Sequence, residues 1–204
     1  VTDVVVIDSG GANLASLLYA LRRLGVEGEV SRDPARIARA THVLLPGVGA
    51  APDAMRRLRE TGVAELLPTL TQPLLGICLG MQLLFEASEE TTGGGGTTPC
   101  LGIVPGCVKR IAASPGQPVP HMGWNQLEPL TADPLLAGIN PGDYVYFVHG
   151  YAAPVGPCTL ATSDYGGRFT AALRRDNFRG VQFHPERSAA VGARLLANFI
   201  ALRS

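Results

Sequence analysis

The chain has 204 residues, and 17 Lys and Arg balance 17 Asp and Glu to a formal net charge of zero, so it lacks the polybasic surface that binds nucleic acid. Its length suits one domain, residues 1–204, with a sizeable core, while its longest apolar runs are far too short to span a bilayer. Cys78, Cys100, Cys107 and Cys158 lack the Cys-x-x-Cys spacing of metal sites, and no secretory leader is visible, so free thiols in a reducing cytoplasm are expected, with no membrane partner.

In chain order, Asp3 to Ile7 reads as an apolar strand, and Leu14 to Leu24 carries leucines at helical spacing until Gly25 stops it. Pro34 to Ala40 reads as a short helix, Val43 to Leu45 as a buried strand, Asp53 to Glu60 as a helix and Leu74 to Ile77 as a strand. Leu79 to Ala87 then reads as a further helix. Strands that are apolar on both faces and alternate with helices predict an α/β fold, three-layered, with a mostly parallel central sheet and helices on both sides. From Ile103 to Phe183 the strands are short and broken by Gly and Pro, with a hairpin around Tyr165-Gly166-Gly167-Arg168, which predicts a smaller antiparallel portion. Ser188 is positioned to cap a last helix running to Leu202.

The most informative segment is Gly76-Ile77-Cys78-Leu79-Gly80-Met81-Gln82. It seats a thiol between glycines at a strand-to-helix junction, where a sharp turn holds a nucleophile and Cβ atoms on either side would collide. A helix starting at Cys78 would point unpaired amides at the sulfur and favour a thiolate. A lone buried cysteine is more often a small packing residue, but packing gives no reason for Gly76 and Gly80 to bracket it.

A thiol needs a base, and His42, His121, His149 and His184 are the choices. His184 closes the apolar run Val181-Gln182-Phe183, and Pro185 then bars continuation of a sheet ladder. Glu186 follows two positions on, within reach of the imidazole. A Cys78-His184-Glu186 relay results, with Glu186 fixing the tautomer and His184 moving the proton. His42 and His149 read as packed strand-end residues, and His121 has no carboxylate near it before Glu128.

Three glycine-rich turns invite other readings. The run Thr91 to Thr98 lacks the lysine and helix of a phosphate loop and reads as a flexible surface loop. Asp8-Ser9-Gly10-Gly11 follows a strand but lacks the dinucleotide pattern. Pro46-Gly47-Val48-Gly49 follows a strand and opens a helix, so it is either a tight turn or a set of N–H groups aimed at an anion.

The Gly-x-Cys-x-Gly-x-Gln elbow followed far downstream by His184-Pro185-Glu186 resembles the triad-type, class I glutamine amidotransferases, and the resemblance runs end to end. Within that family, Ile7-Asp8-Ser9-Gly10-Gly11-Ala12-Asn13-Leu14, Pro46-Gly47-Val48-Gly49, His121-Met122-Gly123-Trp124-Asn125 and Tyr146-Phe147-Val148-His149 are similar to the branch of glutaminase subunits of imidazole glycerol phosphate synthase. An aromatic residue is usual there at Ser9, and often a serine or threonine at Gly150. The resemblance implies a glutaminase that works through a cysteinyl thioester, needs no metal or organic cofactor, and passes ammonia through a (β/α)8-barrel cyclase partner as a heterodimer in histidine biosynthesis. It implies catalytic Cys78, His184 and Glu186, an oxyanion hole at Val48, Gly49 and Leu79, and glutamine held by Gly47, Gly49, Gln82, Glu90, Gly150 and Tyr151. It puts Asn13, Met122, Trp124, Tyr146 and Arg187 on the face shared with the cyclase. Without the resemblance, Gln82 and Glu90 read equally as helix-surface residues, and Trp124 as core. A glutaminase feeding another synthase (anthranilate, guanylate or pyridoxal phosphate), a hydrolase of γ-glutamyl peptides and a non-catalytic regulatory module are the alternatives.

Overall fold

The computed structural model describes residues 2–10 and 14–203. The first half alternates strands and helices, β2 and α4 being added to those the hydrophobic pattern predicts: β1 (Val4–Ile7), α1 (Leu14–Arg23), β2 (Gly28–Ser31), α2 (Pro34–Arg39), β3 (His42–Gly47), α3 (Ala51–Glu60), α4 (Val63–Leu66), β4 (Leu74–Cys78) and α5 (Leu79–Gln82). Shorter strands follow: β5 (Phe85–Ser88), β6 (Thr98–Pro99), β7 (Val104–Arg110), β8 (His121–Gln126), β9 (Glu128–Pro129), β10 (Tyr144–His149) and β11 (Tyr151–Ala152). The chain closes with β12 (Thr159–Asp164), β13 (Arg168–Arg175), β14 (Phe178–Val181) and α6 (Ala189–Ala201).

The central sheet runs β2-β1-β3-β4-β14-β13-β12-β9. Its β2, β1, β3, β4 and β14 are parallel neighbours, and β13, β12 and β9 continue it antiparallel. Alternation along the strands explains why both faces need cover. Val4, Val6, Leu44, Leu75 and Ile77 pack on one side with Leu17 and Leu21 of α1 and Leu195 and Phe199 of α6. Val5, Ile7, Val43, Leu45 and Leu74 pack on the other with Ile37, Met55 and Leu58 from α2 and α3. Two smaller sheets, β11-β7-β5-β6 and β10-β8, complete the antiparallel portion. Among the described residues, no helix is long and apolar enough to cross a membrane.

Two local expectations are corrected, and one strand is added. The helix expected from Leu79 to Ala87 is a single turn, Leu79–Gln82, and Phe85–Ser88 is instead a strand paired with β6 and β7. Leu83, Leu84 and Phe85 are all buried, and a short run that is apolar on every side carries no helical period. Strand β2 carries only intermediate and exposed residues at the sheet edge, so it gave no apolar run to find. Ser188 precedes α6 without a side-chain cap to it; its hydroxyl donates to His184 O at 2.6 Å and accepts from Tyr146 N at 3.0 Å, tying β10 to the His184 segment. The turn joining β12 to β13 falls where expected, with Asp164 opposite Arg168. Residues 92–97 lie exposed between β5 and β6, as a surface loop should.

Candidate active site

The site forms where parallel strands end together. β3, β4 and β14 are neighbours, with Gly47 opposite Cys78 and Val181 opposite Ile77. Residues more than a hundred positions apart are thereby delivered to one edge of the sheet, the usual ligand edge of an open parallel sheet.

Cys78 sits at the corner with φ 54° and ψ −112°, backbone that L-residues rarely adopt. The bracketing glycines have the predicted steric cause. A Cβ on Gly76 would lie 2.7 Å from Gly80 O, and one on Gly80 would collide with the carbonyl of Leu45. Gly80→Ala is therefore expected to destabilise the fold by about 3 kcal/mol or more, because backbone cannot give way as a side-chain tip can. Gly93→Ala, where an added Cβ meets nothing within 4 Å, is expected to melt like the parent in the same thermal denaturation series.

His184, the expected base, is held from three directions. The His184 amide donates to Tyr146 O at 2.9 Å, Ser188 grips its carbonyl, and its Nδ1 lies 2.9 Å from Glu186 Oε1 at the start of the turn Pro185–Arg187. Burial disfavours the His184 cation, but the nearby Cys78 sulfur and the hydrogen-bonded Glu186 carboxylate override it and raise the pKa to about 10. The imidazole thus interacts with the sulfur across the pocket both line, yet Nε2 stops short of a full hydrogen bond and is buried without a partner. That nitrogen is free to take or give a proton at the sulfur or at a leaving group. The sulfur itself contacts Val148 O at 3.6 Å and Gln182 Nε2 at 3.7 Å.

One pocket gathers Cys78 and His184 with Val48, Gly49, Leu79, Gln82, Glu90, Gly150 and Tyr151, which are nine of the residues singled out from sequence. Gly49 has φ 90° with open space beside it, which suits a peptide unit that turns its N–H toward an anion. Gly47 is not brought to this pocket. It packs against the elbow, where a Cβ would meet Gly80 N and Leu79 Cβ at 3.0 Å, and it lines a neighbouring cavity with Pro46, Ile77, Glu186 and Arg187. The two cavities share Val48, Val148 and His184 as their common wall.

Gln82 and Glu90 are not the helix-surface residues their types allow. Gln82 is buried and its amide nitrogen donates to Tyr151 O at 2.8 Å and Gln182 Oε1 at 2.9 Å, which leaves its oxygen as the group to offer a ligand. Glu90, half-buried beyond β5, accepts from Ala51 N at 2.7 Å, and burial pushes its carboxyl up despite that bond. Trp124 is exposed rather than core, at 52 % of its surface, and Met122 at 63 %. Both point off the outer face of β8, where the Trp124 ring meets Tyr146 edge-on at 5.9 Å and the Arg187 guanidinium lies over Tyr146 at 4.4 Å. Asn13, expected on the same face, lies outside the described residues.

Two residues have roles at the site that the sequence did not signal. Ser9, at the end of β1, donates its hydroxyl to Pro46 O at 2.8 Å and so ties down the Pro46-Gly47-Val48-Gly49 segment. Gln182, fully buried, reads from its position as one more residue of an apolar strand. His42 is a packed strand-end residue as expected, against Leu202 O and Phe199. His149 is buried at the end of β10 but also lines the pocket.

A buried thiol in a strained corner, beside an imidazole backed by a carboxylate and next to backbone N–H groups, is equipped for acyl transfer from an amide. The family model for class-I glutamine amidotransferase matches residues 5–202. Imidazole glycerol phosphate synthase subunit HisH of Xanthomonas euvesicatoria pv. vesicatoria is 56% identical over 199 residues, which are 98% of this chain and 97% of the relative. The subunit of that name from Xylella fastidiosa (strain Temecula1) is 54% identical over the same shares. A chain of the PurLQS structure from Thermotoga maritima shares the fold at TM-score 0.69 and 17% identity, covering 97% of each chain. With fold, elbow and near-complete alignment in agreement, the chain belongs to the class-I glutamine amidotransferases, in the branch of the HisH subunits of imidazole glycerol phosphate synthase.

Proposed function

We propose that the chain is the glutaminase subunit of an imidazole glycerol phosphate synthase, acting as one amidotransferase domain in the cytoplasm. The observation that carries this is the convergence of Cys78 and His184, the latter backed by Glu186, on one pocket whose free groups match glutamine. The Gln82 oxygen and the Glu90 carboxylate supply acceptors for an α-ammonium group. Backbone at Gly49, Gly150 and Tyr151 completes the cradle.

Cys78 passes its proton to His184 and the resulting thiolate attacks the side-chain amide carbon of glutamine, while the oxyanion is met by the amides of Leu79 and the Val48-Gly49 segment; each such donor typically lowers the barrier by about 3 kcal/mol. His184, protonated and held by Glu186, gives its proton to the amide nitrogen; the C–N bond breaks, ammonia leaves, and a γ-glutamyl thioester remains on Cys78. His184 then takes a proton from water, whose oxygen displaces the thiolate and releases glutamate. Ammonia leaves past Val48 and Val148 into the second cavity, which Arg187 helps to line.

There the partner docks. Met122, Trp124, Tyr146 and Arg187 form an aromatic and cationic patch of the composition that anchors interfaces. The partner is a (β/α)8-barrel cyclase that uses the ammonia to make imidazole glycerol phosphate and the aminoimidazole-carboxamide ribonucleotide. Mixing the chain with such a cyclase is expected to give a one-to-one complex by size-exclusion chromatography, with glutamine hydrolysis raised when the cyclase holds its own ligand. Equal hydrolysis with and without the liganded cyclase, or hydrolysis of γ-glutamyl peptides by the chain alone, contradicts the proposal.

A further inference from the structure

Between the nucleophile and the covered face of β8 runs an unbroken line of hydrogen bonds whose polarity is set by its fixed ends. A backbone carbonyl only accepts, so Tyr151 O, 2.7 Å from His149 Nδ1, requires that nitrogen to carry the proton. Burial pushes His149 down to about 3 and His121 to about 4, so both rings are neutral at ordinary pH. His149 Nε2 is then an acceptor, and His121 Nδ1, 2.9 Å away, is the donor to it. His121 Nε2 accepts in turn from Asn125 Nδ2 at 3.4 Å, and that same amide nitrogen donates to Asp164 O at 2.8 Å.

The line continues inward from the same carbonyl. Tyr151 O also accepts from Gln82 Nε2, which fixes the Gln82 amide; Gln82 Nε2 donates to Gln182 Oε1, which fixes the Gln182 amide. Gln182 Nε2 is thereby turned toward the Cys78 sulfur. The two contacts of the sulfur differ in kind. Val148 O can only accept, so it holds a thiol, whereas the Gln182 N–H is a donor that a thiolate keeps and strengthens.

We propose that Gln182 is a positioning residue that donates to the Cys78 sulfur, its amide oriented by a hydrogen-bonded chain through Gln82, the Tyr151 carbonyl, His149 and His121 to Asn125 on β8. Gln182 is absent from the lining of the glutamine pocket, so it acts on the nucleophile and not on the substrate. The far end, Asn125, lies on the face of β8 opposite exposed Trp124 and one residue along from it, so the line joins the strand that carries Trp124 to the reacting sulfur. The inference rests on Cys78 being the nucleophile.

The test uses Gln182→Met, which keeps length and bulk but has no N–H. Alkylation of Cys78 in the full chain by iodoacetamide is measured across pH without glutamine, so it reports the sulfur's setting whether or not glutamine is the substrate. Loss of one hydrogen bond to an anion is expected to slow alkylation near neutral pH by about tenfold. In the complex with the cyclase, kcat for glutamine is expected to fall by more than KM rises, a rise in KM reporting the Gln182 Oε1 acceptor that Gln82 also loses. An alkylation rate equal to the parent's, in a variant that melts like the parent, overturns the proposal. Should the variant fail to fold, 15N chemical shifts of the unaltered chain decide: the proposal requires the Nδ1–H tautomer at both His121 and His149, and Nε2–H at either overturns it.

Discussion

Cys78→Ala is expected to lower glutamine-dependent ammonia formation by at least about 10^4-fold, because removing the nucleophile of a covalent mechanism leaves only binding and oxyanion stabilisation. The elbow should survive the change. Cys78 has positive φ, and alanine adopts that backbone no less readily, so the glycine contacts that shape the corner are untouched. Added ammonium salts bypass the missing step, and synthesis by the cyclase complex is expected to continue at close to the parental rate. The pair of assays separates chemistry from architecture. Loss of both activities would mean that the thiol serves the fold or the interface instead.

Glu186→Gln is expected to reduce glutamine turnover by about 10^2- to 10^4-fold, since a neutral amide no longer selects the tautomer of His184 or supports its cation. It also makes a statement about stability. The folded-state pKa of His184, about 10, lies above the ordinary value of 6.5. The proton is held more tightly in the folded chain than in the unfolded one. The resulting stabilisation is fully present below the ordinary value and is lost as pH rises through the folded value. With Gln at position 186, burial weighs more heavily and the His184 pKa falls, because one of the two partners that oppose burial has lost its charge. Melting temperatures recorded between neutral pH and pH 10 should therefore decline more steeply in the parent than in the variant. Parallel curves would show that Glu186 does not hold that proton.

The features that sequence exposed and those it hid differ in range. Alternating apolar strands and helices predicted the central sheet because β1, β3 and β4 bury both faces, and that burial is written into each segment by itself. The elbow was legible for a similar reason: the glycines that clear space around Cys78 are its close neighbours in the chain. His184 and Glu186 were legible as a pair two residues apart. What stayed hidden depends on partners far away. Gln182 reads as an unremarkable strand residue until β14 lies beside β4 and brings it against Cys78 and Gln82. Ser9 gains meaning only when β1 and β3 align and its hydroxyl reaches Pro46. Trp124 was ambiguous because burial of a tryptophan depends on which face of a two-stranded sheet is covered, and in β8–β10 the covered face carries Val145 and Phe147. The missed strand Phe85–Ser88 follows the same rule, since its ladder partners lie downstream in β6 and β7.

The central claim is that Cys78 becomes acylated while His184, backed by Glu186, moves the proton. Acid-quenching the complex during turnover of glutamine and weighing its peptides tests this most directly. The account predicts a γ-glutamyl adduct on the peptide carrying Cys78, and none in His184→Asn, where the thiol has lost its base. An adduct found instead on Cys100, Cys107 or Cys158, or full turnover by Cys78→Ala, would contradict it.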